Sequence, residues 1–135
     1  MKKFVVLSIA ILALLLAACG GGEAEPAGVT LDYVGNDTFV FEPGTAEVAA
    51  GAQVTINFEN AGVLDHNWML ISGSADATTA VEGEALAGAT TGIISGGETA
   101  TVTFTAPPAG NYQVVCTVPG HAAGGMVAEF VVSGG

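Results

Sequence analysis

The sequence predicts an all-β protein, a β-sandwich of about eight strands. Short runs with period-two alternation of apolar and polar residues recur along the chain. Gly, Pro, Asn and Asp separate these runs at strand-and-turn spacing. Half of the residues are hydrophobic and only 11% charged, the composition of a packed β-domain and not of an acidic disordered tail. At 135 residues the chain has room for one domain of ordinary size.

The first segment stands apart. Lys2 and Lys3 give a basic start, Phe4 to Leu16 an apolar stretch, and Leu16-Ala17-Ala18-Cys19 follows at once. Residues 1–18 read as a lipoprotein signal peptide, and Cys19 as the thiol that takes a diacylglycerol. A helix from Phe4 to Ala18 would span about 22 Å, short of the roughly 30 Å hydrocarbon core, so a stable membrane span is the weaker reading. Residues 19–28, the lipidated Cys19 and then Gly20 to Gly28, read as a flexible tether. The domain is expected over 29–135, extracytoplasmic and lipid-anchored to a bacterial membrane on its periplasmic or cell-surface face.

Within the domain, Val29–Val34, Phe39–Phe41 and Ala46–Ala49 read as strands. Val54, Ile56 and Phe58 alternate with Thr55, Asn57 and Glu59 in a fourth. His66–Ile71 reads as a fifth, with His66, Trp68 and Leu70 on one inward face. The stretch from Ser72 to Gly97 has no period, and a short helix is expected near Ala75–Leu86. Ala100, Val102, Phe104 and Ala106 alternate with threonines in a sixth strand. Asn111–Cys116 and Met126–Val132 complete the set. On Asn111–Cys116 the residues Tyr112, Val114 and Cys116 share the core face, so Cys116 points inward at the strand's end.

Charge excludes one class of function. Both basic residues lie in the leader, so the remaining chain carries 13 carboxylates and no Lys or Arg. A surface without cations has no electrostatic grip on phosphates, and nucleic-acid binding is not expected.

Chemistry concentrates between the last two strands. With Cys19 taken by lipid, Cys116 has no disulfide partner in an exported protein, and a metal accounts for a thiol left free there. The segment Cys116-Thr-Val-Pro-Gly-His121-Ala-Ala-Gly-Gly-Met126 places a thiolate, an imidazole and a thioether on one loop. Each residue alone has an ordinary reading as core or surface. Together with His66 they make two imidazoles, one thiolate and one thioether, the donors of a trigonal copper site with a weak axial methionine. The expected cofactor is one copper ion per chain, cycling between Cu(I) and Cu(II). The N–H of Val118 is within reach of the Cys116 sulfur, whereas Pro119 has none to offer.

The segments His66-Asn67-Trp68-Met69-Leu70 and Cys116-Thr117-Val118-Pro119-Gly120-His121 resemble the two ligand segments of the small blue copper proteins, or cupredoxins. The resemblance is especially to azurin and the membrane-tethered auracyanins, with a plastocyanin-like spacing between His66 and Cys116. The resemblance implies a Greek-key β-sandwich with a type 1 copper site. It makes His66, Cys116 and His121 equatorial ligands and Met126 the axial one. It also gives Asn67 the task of tying the first ligand segment to the backbone near Thr117.

The function this implies is a membrane-tethered electron carrier, passing single electrons between redox proteins of a respiratory or photosynthetic chain. No Ser/His/Asp set is present and four donors leave the metal no open position, so an enzyme is not expected. The alternative is an extracytoplasmic copper trafficking or storage protein, although the chain has no Met-rich tract. A metal-free adhesion or sensory β-sandwich would leave the four donors without a joint purpose. A monomer is expected, with redox partners that carry a basic docking surface, such as a c-type cytochrome or a membrane oxidoreductase.

Overall fold

A computed structural model describes residues 27–134. The segment expected to be a signal peptide, Cys19 and most of the expected tether lie outside the described residues. Among the described residues no helix is long and apolar enough to cross a membrane.

Eight strands form: β1 Val29–Asn36, β2 Val40–Glu42, β3 Thr45–Ala49, β4 Gln53–Asn60, β5 Met69–Ser72, β6 Thr99–Thr105, β7 Gly110–Val115 and β8 Val127–Ser133. They make two four-stranded sheets, ordered β2-β1-β4-β6 and β3-β8-β7-β5. The pairs β1–β4 and β3–β8 are parallel and the other neighbours antiparallel. The all-β sandwich read from the sequence is the observed fold.

Alternation explains which faces meet. On β4 the residues Val54, Ile56, Phe58 and Asn60 are buried while Gln53, Asn57 and Glu59 are exposed. On β8 Ala128, Phe130 and Val132 point into the same core. Its centre is aromatic: the Trp68 ring lies 5.7 Å from Tyr33, 6.0 Å from Phe104 and 6.3 Å from Phe130. Rings at such separations in tilted and edge-on contacts add attraction beyond the area they bury. Two polar atoms in this core have no partner, the Tyr33 hydroxyl and the Trp68 indole nitrogen. Burial pushes the Tyr33 hydroxyl up to about 12.

The fifth strand is shorter than its sequence suggests. Regular pairing begins at Met69, while His66 is held by a single bridge, its N–H donating to the Ile94 carbonyl at 3.1 Å and its carbonyl accepting from the Ile94 N–H at 2.9 Å. All of His66 to Leu70 is buried. Trp68 and Leu70 join the central core, whereas Met69 and Ile71 pack with Val115 and Ala80 in a second cluster on the outer face of the sheet.

That outer cover comes from the aperiodic stretch 73–98. The helix expected near Ala75–Leu86 does not form. Three separate 3₁₀ turns occur instead, at Ala77–Thr79, Glu82–Glu84 and Leu86–Gly88. The β-branched Thr78, Thr79 and Val81 and the glycines at 83 and 88 disfavour a continuous helix. Asp76 caps the first turn by accepting from the Thr78 N–H at 2.9 Å, and Ala87 at φ +52° breaks the last.

Candidate metal centre

The four donor residues predicted from sequence arrive from two directions. His66 stands just ahead of β5, and Cys116 follows the last residue of β7, which pairs with β5 through Met69 opposite Val115. The loop from Cys116 then turns back to Met126 at the start of β8. Its closure is backbone-made: the Cys116 N–H donates to the Met126 carbonyl at 3.2 Å, and the Met126 N–H to the His121 carbonyl at 3.0 Å. Gly120 takes φ +86° and Gly125 φ +110°, conformations that glycine alone adopts at little cost.

The result brings three donor atoms together. His66 Nδ1 and His121 Nδ1 are 3.0 Å apart, and the Cys116 sulfur lies 3.8 Å and 3.5 Å from them. Candidate donor atoms of these three residues all fall within 4.8 Å of one another. Met126 is fully buried in the adjoining core. Its methyl group passes so close to Gly35 that a Cβ there would sit 2.8 Å from it, so the β1 glycine clears space for the methionine.

Burial tunes the donors before any metal arrives. It pushes the Cys116 thiol up, and backbone N–H groups of Asn67 and Val118 facing the sulfur pull the other way more weakly. The same desolvation, reinforced by the neighbouring His66, holds the His121 imidazole below the usual histidine range. His121 is therefore a neutral ligand at neutral pH. A buried thiol and two imidazoles aimed at one point suit a thiophilic ion that also accepts nitrogen, and copper fits this donor set.

Asn67 does what the resemblance implied. Its Oδ1 accepts from the Thr117 N–H at 2.7 Å and its Nδ2 donates to Thr117 Oγ1 at 3.0 Å. The strap has a third member that sequence reasoning missed, Glu82 from the second 3₁₀ turn. Its carboxylate accepts from Asn67 Nδ2 and from the hydroxyls of Thr117 and Thr90, each hydroxyl at 3.2 Å. No motif marks Glu82, because only the folding of 73–98 over the sheet brings it there.

Two more residues went unread. Asp37, in the turn after β1, places Oδ1 3.2 Å from His66 Nε2. Phe39, expected within a strand, takes φ +60°, turns out of β2 and lays its ring 4.6 Å from that of His121. A bulky residue in the left-handed region costs on the order of 1–2 kcal/mol, which the contacts of the fold offset.

Comparison with known proteins agrees with this centre. Residues 27–133 match the sequence model of the copper binding proteins of the plastocyanin/azurin family. The chain belongs to that family. Its cupredoxin relatives include auracyanin-A of Chloroflexus aurantiacus, 33% identical over 90% of this chain and 91% of the relative. The copper-resistant cuproprotein CopI of Rubrivivax gelatinosus is 29% identical over 82% of this chain and 70% of its own. Among solved structures, the dithionite-reduced auracyanin of the photosynthetic bacterium Roseiflexus castenholzii superposes with a TM-score of 0.69 at 26% identity. That match covers 79% of this chain and 98% of the other. This cupredoxin thus takes copper as its cofactor, and the buried thiol and imidazoles are the donors its chain offers.

Proposed function

We propose that this cupredoxin is a blue copper electron carrier, held to a bacterial membrane by lipid on Cys19, that passes single electrons between redox proteins. The observation that carries the reading is the enclosure of the donor set. His66 and Met126 are 0% exposed, Cys116 1% and His121 8%, so His121 is the least enclosed of the four and the one a partner can approach. Copper bound there supplies a one-electron couple, with His66, Cys116 and His121 as the strong ligands and Met126 as the weak one. The chain's own task is to hold these side chains in one arrangement for both oxidation states. The Asn67–Thr117 strap and the backbone closure of the 116–126 loop serve that task, and four protein donors leave no place for a substrate. An enclosed site also opposes rapid exchange of the ion, and this favours the carrier over the copper trafficking or storage role that the likeness to CopI raises.

The test is an absorption spectrum of copper-loaded protein. An intense blue or blue-green thiolate-to-Cu(II) band that ascorbate bleaches and Cys116→Ser abolishes is expected. A colourless Cu(II) complex, or a copper ion lost to a chelator within seconds, would favour trafficking instead.

A further inference from the structure

Asp37 is the one carboxylate hydrogen-bonded to a donor histidine among the described residues, and the proposed function leaves it unused. His66 presents Nδ1 to the thiol and to His121, and its other nitrogen, Nε2, lies 3.2 Å from Asp37 Oδ1. An ionised carboxylate can only accept, so this contact requires the proton on Nε2 and leaves the Nδ1 lone pair free. The carboxylate is not a loose surface group. Its Oδ2 accepts from the Val63 N–H at 2.9 Å and its Oδ1 from the Leu64 N–H at 3.2 Å. The side chain is 34% exposed, whereas His66 is fully enclosed.

Gly62 completes the seat. A Cβ on it would lie 2.0 Å from Asp37 Oδ1, so any larger residue there displaces the carboxylate. The β1–β2 turn, the β4–β5 loop and the donor histidine thus meet at one anion. Phe39, two residues on, packs edge-on to the His66 ring with centroids 6.4 Å apart.

We propose that Asp37 is a positioning residue of the copper centre: it fixes the Nε2–H tautomer and ring angle of His66, and its charge favours the oxidised over the reduced metal. A carboxylate behind a ligating imidazole makes that imidazole a stronger donor, and the more highly charged ion gains more from it. The 34% exposure of Asp37 lets solvent screen part of this effect. This inference rests on the copper reading. Failure of the unaltered chain to bind copper would sink that reading, while the comparison of variants below bears on Asp37 alone.

The experiment measures Cu(I) and Cu(II) affinities and the reduction potential of full-length Asp37→Asn, Asp37→Ala and Gly62→Ala proteins beside the unaltered one. Asn keeps an acceptor for His66 and removes the charge. Ala removes both. Gly62→Ala retains the charge but moves it. The expected result for Asp37→Asn is a loss of Cu(II) affinity up to roughly tenfold greater than that of Cu(I), which raises the potential by up to about 59 mV. Asp37→Ala should lose at least as much, and Gly62→Ala should shift the same way by less. A pure loop cap predicts a lower melting temperature with the Cu(II)-to-Cu(I) affinity ratio unchanged in all three, and that outcome overturns the proposal. Nitrogen NMR of the unaltered metal-free chain gives a reading even if every variant misfolds. His66 should carry its proton on Nε2, and an Nδ1–H tautomer would equally overturn the assignment.

Discussion

Asn67 grips Thr117 at two points, accepting from its backbone N–H at 2.7 Å and donating to its hydroxyl at 3.0 Å. These residues are 50 apart in the chain, yet each adjoins a donor, His66 on one side and Cys116 on the other. The pair therefore fixes the distance between the two ligand segments. Asn67→Ala should leave the Thr117 N–H without its acceptor and cost about 1–3 kcal/mol of stability. Copper affinity should fall roughly 10–100-fold. Urea unfolding and chelator competition measure the two effects, and a variant that weakens neither would show that the loop holds its shape unaided.

Acid should destabilise the metal-free protein through His121. Its folded pKa lies below the unfolded value because burial disfavours the cation. Between the two values the unfolded chain binds a proton that the folded chain refuses. The stabilisation from a neutral His121 is fully present above about pH 6.5 and is lost as pH falls from there through the folded pKa. Melting temperatures of metal-free protein should drop over that range, and His121→Asn should flatten the drop.

Cys116 gives the opposite dependence for metal capture. Burial keeps its thiol protonated at neutral pH, so binding must expel a proton. Apparent copper affinity should climb by up to about tenfold per pH unit as pH rises towards the thiol's folded pKa. A pH-independent affinity would mean that the sulfur is not a ligand.

Tyr33→Phe should be neutral or stabilising. The hydroxyl is buried without a partner, and a polar group left so costs about 1–3 kcal/mol. A gain near 1 kcal/mol in a urea titration is expected, or about 4 °C in melting temperature. A clear loss would reveal a buried water bonded to that hydroxyl.

Partner choice should depend on salt. From Cys19 onward the sequence has 13 carboxylates and no Lys or Arg, a field that speeds encounter with cations and slows it with anions. Raising ionic strength from about 0.01 M to 0.15 M shortens the Debye length from about 30 Å to about 8 Å. Electron transfer to a basic c-type cytochrome should slow steeply over that range, and transfer to an acidic one should quicken. Rates flat for both would leave docking to the small uncharged residues beside His121, Pro119-Gly120 before it and Ala122 to Gly125 after it.

What could be read from the sequence depended on whether one face of a strand meets water. β4, β6 and β8 do, and their alternation marked Val54, Phe104 and Phe130 correctly as core. β5 is covered on both faces, so Met69 and Ile71 carried no parity signal, and its true start was hidden. The donors were legible because thiolate, imidazole and thioether are chemically distinctive. Asp37, Phe39 and Glu82 were not, since carboxylates and aromatics are common and only tertiary folding aims these three at the centre.

The donors also straddle the longest detour in the chain. His66 and Cys116 meet only when β5 zips against β7 within the second sheet and the stretch 73–98 has folded aside, so the first sheet alone cannot assemble them. Colour then becomes a gauge of closure. A refolding chain mixed with copper should stay pale until β5 pairs with β7 and turn blue in that step, with the pigment timing the closure of the second sheet.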